Sequence, residues 1–174
     1  LTGDWNLVKD ASTLAAGDVL VMASNTKGYT AGDISSQYMS TISSTFATDY
    51  STISTLGANT VQLTLGGTSG AWTLANSSSQ LLGATAVRKL AWGSGTTTWS
   101  ISIDSTSGDA TIQNGTSTYG RFLCNFGYTR FTTYTSATST SMLLPQLYRG
   151  GTASPIYATA ISLPSTANVS LNGQ

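Results

Sequence analysis

Serine and threonine hydroxyls are the most abundant potential nucleophiles in this chain, but the side chains that usually activate them are missing. The sequence has no histidine, and its seven acidic residues are all aspartate. A hydroxyl nucleophile needs a neighbouring base to take its proton, so only Asp, Lys and Tyr are left for that role. No Gly-x-Ser-x-Gly elbow, phosphate-binding loop or Gly-x-Gly-x-x-Gly fingerprint occurs in the sequence. The sequence therefore predicts a protein that is not an enzyme and uses no cofactor.

Asp104 and Asp109 are the acidic pair closest to one another among the later predicted strands. Two carboxylates are the machinery of glycoside hydrolysis, and together with backbone carbonyls they could also bind Ca²⁺. The intervening Ser105-Thr-Ser-Gly108 is typical of a hairpin turn. We therefore interpret both aspartates as turn residues and predict no metal site, with a hydrolase that uses this pair as the weaker alternative.

Aromatic residues, arginines and an asparagine are concentrated between residues 119 and 134. A sugar ring stacks on an aromatic face while arginine and amide groups donate hydrogen bonds to its hydroxyls, so this composition suits glycan binding. Trp92 is included among the predicted binding residues because the adjacent Gly93-Ser-Gly95 favours its exposure. The predicted ligand-binding residues are Trp92, Tyr119, Arg121, Asn125, Tyr128, Arg130 and Tyr134.

Strand alternation gives a purely structural alternative for the same segment, because successive side chains of a strand point to opposite faces. In that alternative Phe122, Cys124 and Phe131 face the core, whereas Arg121, Asn125 and Arg130 face solvent. Cys124 is the only cysteine, so the chain has no internal disulfide, and its apolar neighbours indicate a core residue.

Charged residues are rare in this sequence and balanced in sign. They make up 8% of the chain, with seven basic and seven acidic side chains. Such a surface produces no broad field that would attract nucleic acid or an anionic membrane. No apolar run reaches the roughly 20 residues that a membrane-spanning helix needs. We therefore predict neither nucleic-acid binding nor membrane insertion, and a Ser/Thr-rich surface of the kind found on secreted or cell-surface proteins and ordered assemblies.

Short runs of β-branched and aromatic residues separated by Gly, Ser, Asn and Asp predict antiparallel strands. The predicted strands are residues 5–8, 19–23, 61–65, 71–74, 80–82, 89–92, 99–103, 110–113, 121–125, 130–134 and 143–148. Lys27–Asp33 is predicted as a turn-rich connection, and Gly66-Gly67 as a turn. Residues 34–56 repeat large side chains every four positions, as a helix would, but their Ser and Thr content favours a β-hairpin that turns near Ala47–Tyr50.

Two successive sets of about four strands suggest an internal repeat. The predicted fold is all-β, an antiparallel barrel of the β-trefoil type, with a two-sheet β-sandwich as the alternative. Residues 1–149 are predicted to form one β-rich accessory module. Residues 150–174 are predicted to be a linker followed by the start of another module or by a strand donated to a neighbouring molecule.

Several segments together resemble a β-rich accessory module of large secreted proteins from Bacteroidetes and other gut bacteria. The likeness covers roughly residues 3–149 and rests on Trp5-Asn-Leu-Val8, Leu65-Gly-Gly-Thr-Ser-Gly-Ala-Trp72, Trp99-Ser-Ile-Ser-Ile103, Asp109–Asn114, Arg130-Phe-Thr-Thr-Tyr134 and Leu143–Arg149. The resemblance implies a secreted or cell-surface location and a modular parent protein, and it implies no catalytic residue.

The function expected from these observations is a non-catalytic extracellular module for attachment or display, which binds a glycan or a protein partner at the cell surface. The alternative is a self-assembling structural subunit or spacer of a surface protein or filament, whose partners are other copies of itself. Low charge and the extra strand-like segment after residue 149 favour that alternative.

Overall fold

The computed structural model describes residues 4–151, which contain sixteen β-strands, three short 3-10 helices and no α-helix. The strands are β1 (Trp5–Leu7), β2 (Val19–Ser24), β3 (Tyr29–Ser35), β4 (Tyr38–Ser43), β5 (Thr45–Phe46), β6 (Thr52–Thr55), β7 (Leu63–Thr68), β8 (Ala71–Ala75), β9 (Leu82–Ala86), β10 (Lys89–Trp92), β11 (Trp99–Ile103), β12 (Ala110–Asn114), β13 (Arg121–Asn125), β14 (Arg130–Tyr134), β15 (Met142–Leu143) and β16 (Gln146–Gly150). The 3-10 helices are Ala11–Thr13, Asn25–Lys27 and Ser117–Tyr119.

Fourteen of these strands form one antiparallel sheet, and β9 and β10 form a separate hairpin. The order across the large sheet is β3-β4-β14-β13-β12-β11-β8-β7-β2-β16-β1-β6-β5, with β15 on β13. One edge of β2 pairs with β16, while its other edge pairs with β7 at Leu20 and with β3 at Ala23. Because β3 is the first strand in the sheet order, its additional pairing with β2 closes the strands from β3 to β2 into a partial ring.

The ring is not a clean barrel, since two of its junctions are short. Trp99 of β11 and Trp72 of β8 form the one residue pair between those strands, and Gln113 and Arg121 form the one pair between β12 and β13. The predicted all-β antiparallel architecture is confirmed. The trefoil repeat and the two-sheet sandwich stay predictions.

Two hydrophobic clusters lie on opposite faces of β2. Leu20 and Met22 belong to the larger cluster, to which most of the ring strands contribute, whereas Val21 and Ala23 belong to a smaller cluster with Tyr148. The alternation follows from the two-residue period of a strand, and a strand with both faces buried is expected to read as a continuous apolar run. Val19–Ala23 is such a run.

The β9–β10 hairpin is attached to the larger cluster by side-chain packing. It contributes Leu82 and Leu90, and the indole Nε1 of Trp99 donates a 2.9 Å hydrogen bond to the Leu82 carbonyl. The Trp99 ring in turn lies 5.0 Å from the Phe122 ring. Buried aromatic contacts and a buried hydrogen bond therefore help to fix the hairpin. An isolated bridge between Ala75 of β8 and Leu81, and a 3.0 Å hydrogen bond from the Leu90 amide to the Gln37 carbonyl, also connect it to the large sheet.

The predicted connection at Lys27–Asp33 is wrong, because β3 begins at Tyr29. The register between β3 and β4 shifts between Ala31 and Ile34, so the Gly-Asp pair that looks like a turn in sequence forms a β-bulge. A Cβ at Gly32 would overlap the side chains of Ser40 and Ile42 on β4, which explains the glycine.

The predicted turn at Gly66-Gly67 is also wrong. Both glycines pair within β7, opposite Thr73 and Trp72 of β8, and the chain reverses at Ser69-Gly70 instead. A Cβ at Gly67, whose φ is +77°, would overlap the Ala71 carbonyl. The glycine therefore permits a close backbone approach inside the strand.

Residues 34–56 form more than the single predicted hairpin. The turn near Ala47–Tyr50 is confirmed between β5 and β6, where the amide of Ala47 donates to the Thr52 carbonyl. The earlier part of the segment pairs with β3 as β4. The strand-like segment predicted after residue 151 lies outside the described residues.

Candidate functional site

The β13–β14 hairpin brings together most of the residues predicted to bind a ligand. Asn125 and Arg130 are paired at its closed end, and Arg121 and Tyr134 are paired at its open end. Between Asn125 and Arg130 the chain turns through Tyr128, whose amide donates to the Asn125 carbonyl at 3.2 Å. Tyr128 projects from this turn with 71% of its surface exposed.

Arg130 is held between aromatic rings. Its guanidinium carbon lies 4.1 Å from the centroid of the Tyr38 ring and 4.9 Å from that of the Tyr128 ring. Arginine stacks favourably on aromatic faces, so these contacts restrict the plane of the guanidinium. Its Nε also donates a 2.9 Å hydrogen bond to the Tyr134 hydroxyl. The Arg130 side chain therefore has a defined orientation although it is partly exposed to solvent.

The Tyr134 hydroxyl is the centre of a buried polar network. Tyr134 is 5% exposed, and its hydroxyl oxygen accepts hydrogen bonds from Arg130 Nε and, at 3.2 Å, from Asn125 Nδ2. The Asn125 Oδ1 in turn accepts a 3.2 Å hydrogen bond from the Ser141 hydroxyl. Each of these polar groups has a partner, as burial requires.

The expectation that Asn125 faces solvent is wrong, because only 4% of its surface is exposed. β15 pairs with the edge of β13 that faces away from β14, and it places Met142 opposite Asn125. That cover was not visible in the alternation of β13 alone. Arg121 and Arg130 are partly exposed, and Phe122, Cys124 and Phe131 are buried as predicted.

A concave site of about 480 Å³ is formed where these elements meet. Four predicted residues line it, namely Asn125, Tyr128, Arg130 and Tyr134. The remaining lining residues are Arg88, Thr135, Ser136, Thr138, Ser139 and Met142. We call this the Tyr128 pocket, and its size lies within the usual range of small-molecule sites.

Arg88 is a site residue that sequence reasoning missed. It lies in the two-residue turn between β9 and β10, with φ at +63°, and its amide donates a 3.1 Å hydrogen bond to the Thr133 hydroxyl of β14. This contact spans 45 residues of sequence. No local pattern in the sequence could have placed the β9–β10 turn at the pocket.

The structure separates three predicted residues from the pocket. Arg121 does not line the pocket, but its Nη1 donates a 2.7 Å hydrogen bond to the carbonyl of Thr135, a lining residue, and so supports that loop. Tyr119 packs against the larger cluster. Trp92 lines a different concavity of about 620 Å³, and its Nε1 donates a 2.8 Å hydrogen bond to Asp33 Oδ1.

The predicted exposure of Trp92 is met only in part: Trp92 is half-buried, whereas Trp5, Trp72 and Trp99 are buried. Four amide side chains share the Trp92 concavity, namely those of Asn59, Gln62, Asn76 and Gln80. The concavity also contains the carboxylate of Asp33, which already accepts the indole hydrogen bond.

Asp104 and Asp109 flank the hairpin between β11 and β12, as the turn interpretation expects. The Asp104 carboxylate accepts 2.9 Å hydrogen bonds from the amides of Ser107 and Thr106, and these bonds lower its pKa below the ordinary value. Asp109 Oδ1 accepts a 2.8 Å hydrogen bond from Gln146 Nε2. Both carboxylates therefore have structural partners. Within residues 4–151 no three His, Cys, Asp or Glu side chains are grouped closely enough to hold a metal ion.

Cys124 is fully buried in the larger cluster. Burial raises the pKa of its thiol to about 11, because the thiolate would lose its hydration. The neutral thiol is therefore the form present near neutral pH, and it packs as a small apolar group.

Comparison of the chain with protein-family models, curated proteins and solved structures gives no match. In the part of the chain that the structure describes, no helix is long and apolar enough to cross a membrane.

Proposed function

We propose that this chain is a non-catalytic module for attachment or display, at a secreted or cell-surface location, and that it binds a glycan in the Tyr128 pocket. The observation that carries the proposal is the Tyr128 ring, which is 71% exposed beside the ordered guanidinium of Arg130. An aromatic face next to oriented hydrogen-bond donors is the arrangement that a sugar ring needs. The resemblance to accessory modules of large secreted proteins is consistent with this proposal.

The rest of the surface favours a polar ligand over a protein partner. Among the described residues, Tyr50 and Tyr128 are the exposed large hydrophobic side chains. Stable protein interfaces are centred on groups of buried aromatic and aliphatic anchors, which two separate tyrosines do not supply. The hydroxyls of Thr135, Ser136 and Ser139 at the pocket instead match the hydroxyls of a sugar.

Binding to a glycan array, followed by calorimetry on the strongest ligand, tests the proposal. Tyr128→Ala removes the exposed ring and is expected to weaken binding about tenfold, because it deletes the stacking surface. The same change should leave stability within about 0.5 kcal/mol, since the side chain is exposed.

Tyr50→Asn is the matched control, because it removes the other exposed ring. Tyr50 has a φ of +62°, which asparagine adopts readily, so the backbone is not strained. This variant is expected to bind as the unaltered chain does. An array without a bound glycan, or equal losses in the two variants, would reject the Tyr128 pocket as a glycan site.

Self-assembly stays a prediction, since the strand-like segment on which it depends lies in residues 152–174, outside the described residues. Light scattering on the full chain and on residues 1–151 tests it. Loss of oligomers on truncation would favour the structural-subunit alternative, and an unchanged oligomeric state would reject it.

A further inference from the structure

The charges around the Tyr128 pocket are all of one sign. Arg88 and Arg130 line it, and no aspartate does. The whole chain contains only seven basic residues, so two of them at one pocket is a marked concentration. In residues 4–151 the one ion pair is formed by Arg149 and Asp18, which leaves both pocket arginines without a carboxylate partner.

Arg130 is oriented so that part of its hydrogen-bonding capacity is unused. Nε is the one nitrogen of this guanidinium that donates to a residue in the described range, and its acceptor is the Tyr134 hydroxyl. The two terminal nitrogens are left to donate elsewhere. Arginine presents these nitrogens as a planar fork that matches two oxygens of an anionic group.

The orientation of that fork does not depend on a ligand. Tyr38 packs against the guanidinium at 4.1 Å, and the Tyr134 hydroxyl that accepts from Nε is itself held by Asn125. Ordering a free arginine on binding has an entropic cost, and these contacts reduce it. A neutral sugar would use such a fork only through weaker hydrogen bonds to neutral hydroxyls.

We infer that the Tyr128 pocket selects an anionic sugar, whose carboxylate or sulfate group accepts hydrogen bonds from the terminal nitrogens of Arg130, with Arg88 adding a second positive charge. This inference rests on the proposed glycan-binding function and specifies its ligand class. Tyr128 supplies the stacking face, and the hydroxyls of the pocket wall bind the neutral part of the ring.

The test is calorimetry with three oligosaccharides of equal length: an oligogalacturonate, the same oligosaccharide with its carboxyl groups reduced to alcohols, and a sulfated neutral oligosaccharide. We expect the acid or the sulfate to bind at least about tenfold more tightly than the reduced form, because charge-assisted hydrogen bonds are roughly twice as strong as neutral ones. That preference should shrink as salt rises from low to physiological concentration.

Two variants assign the preference to the pocket. Arg130→Gln should remove most of the preference for the anionic sugar, with Arg88 supplying what remains, while the variant retains most of the weaker binding to the reduced form. Arg88→Asn removes a positive charge at a φ of +63°, which asparagine adopts readily, and should lower the preference severalfold. Lys89→Gln is the control, because it changes the net charge equally at the neighbouring position, which does not line the pocket, and it should leave the preference unchanged.

The outcomes separate this inference from the proposed function. Equal affinity for the anionic and reduced sugars would overturn the inference and leave glycan binding intact. No binding to any glycan would overturn both. An aspartate-rich peptide of the same charge that binds as tightly as the oligogalacturonate would also overturn the inference, since the pocket would then recognise charge without a sugar. The acid and sulfate arms show which of the two anionic groups is preferred.

Discussion

Removal of one oxygen atom, by Tyr134→Phe, tests how the Tyr128 pocket is organised. The hydroxyl accepts hydrogen bonds from Arg130 Nε at 2.9 Å and from Asn125 Nδ2 at 3.2 Å, and phenylalanine can accept neither. The ring itself can keep its place, because the substitution removes no carbon atom. The variant therefore isolates the polar network from the packing around it.

The expected loss of stability follows from the two bonds. A buried donor that loses its acceptor costs about 1–3 kcal/mol, and this applies to Asn125, which is almost fully buried. The Arg130 bond contributes less than the full value of a charged bond, because that side chain is half-buried and water from the pocket can replace the acceptor. We expect a total loss of about 2 kcal/mol.

Urea denaturation followed by tryptophan fluorescence measures this loss. With an m-value of roughly 2 kcal/mol/M, the midpoint should fall by about 1 M while the slope stays constant. The preference for an anionic sugar should also fall severalfold, because Arg130 loses the contact that orients its Nε. Tyr119→Phe is the control: its ring packs against the larger cluster and its hydroxyl takes no part in the Tyr134 network.

The control variant should shift the midpoint by no more than the equivalent of about 0.5 kcal/mol. A similarly small shift for Tyr134→Phe, with the sugar preference unchanged, would refute the reasoning. It would mean that water satisfies both donors and that the aromatic rings around Arg130 are sufficient to orient it.

Two further predictions concern the fold. Gly95→Ala should lower the free energy of unfolding by more than about 3 kcal/mol, because a Cβ there would overlap the Ala84 carbonyl. Gly70 has a similar positive φ but open space around it, so Gly70→Ala should lower it by about 1 kcal/mol. Thermal unfolding of the two variants measures both losses. Burial raises the Cys124 pKa to about 11, so the unfolded thiol ionises first and stability should fall by on the order of 2–3 kcal/mol as pH rises from 9 to 11. Cys124→Ala should make this loss of stability at alkaline pH smaller, which denaturation midpoints measured from pH 9 to 11 would show. An unchanged loss would mean that other groups cause it, such as Tyr148, whose pKa is also raised by burial.

The strands that sequence patterns located best are those with clear alternation or strong apolar content. Lys89–Trp92, Trp99–Ile103, Arg121–Asn125 and Arg130–Tyr134 were predicted with the bounds that the structure shows. In these segments β-branched and aromatic residues are flanked by turn formers, so local propensity and tertiary structure agree. Two of the errors lie where glycine is inside a strand, at Gly32 and at Gly66-Gly67, because a bulge or a close backbone approach has the same local sequence signature as a turn.

The candidate site was predicted in part for the same reason. Tyr128, Arg130 and Asn125 are close in sequence and belong to one hairpin, so local reasoning could group them. Arg88 and Tyr38 reach the site through packing between distant segments, which no local pattern reveals. The partial ring depends in the same way on pairings such as β14 with β4 and β16 with β2, whose partners are far apart in sequence.

The closure of the ring and the order of the site are linked through β14. Arg130 pairs with Ser40 of β4, and this pairing brings the neighbouring Tyr38 against the guanidinium. On the same strand, Thr133 accepts a hydrogen bond from the Arg88 amide and so fixes the β9–β10 turn at the pocket. The contacts that complete the fold are thus the contacts that position both arginines before a ligand arrives. Because the rest of the chain has few and balanced charges, selectivity for an anionic sugar would depend on this local arrangement and not on the overall field of the protein.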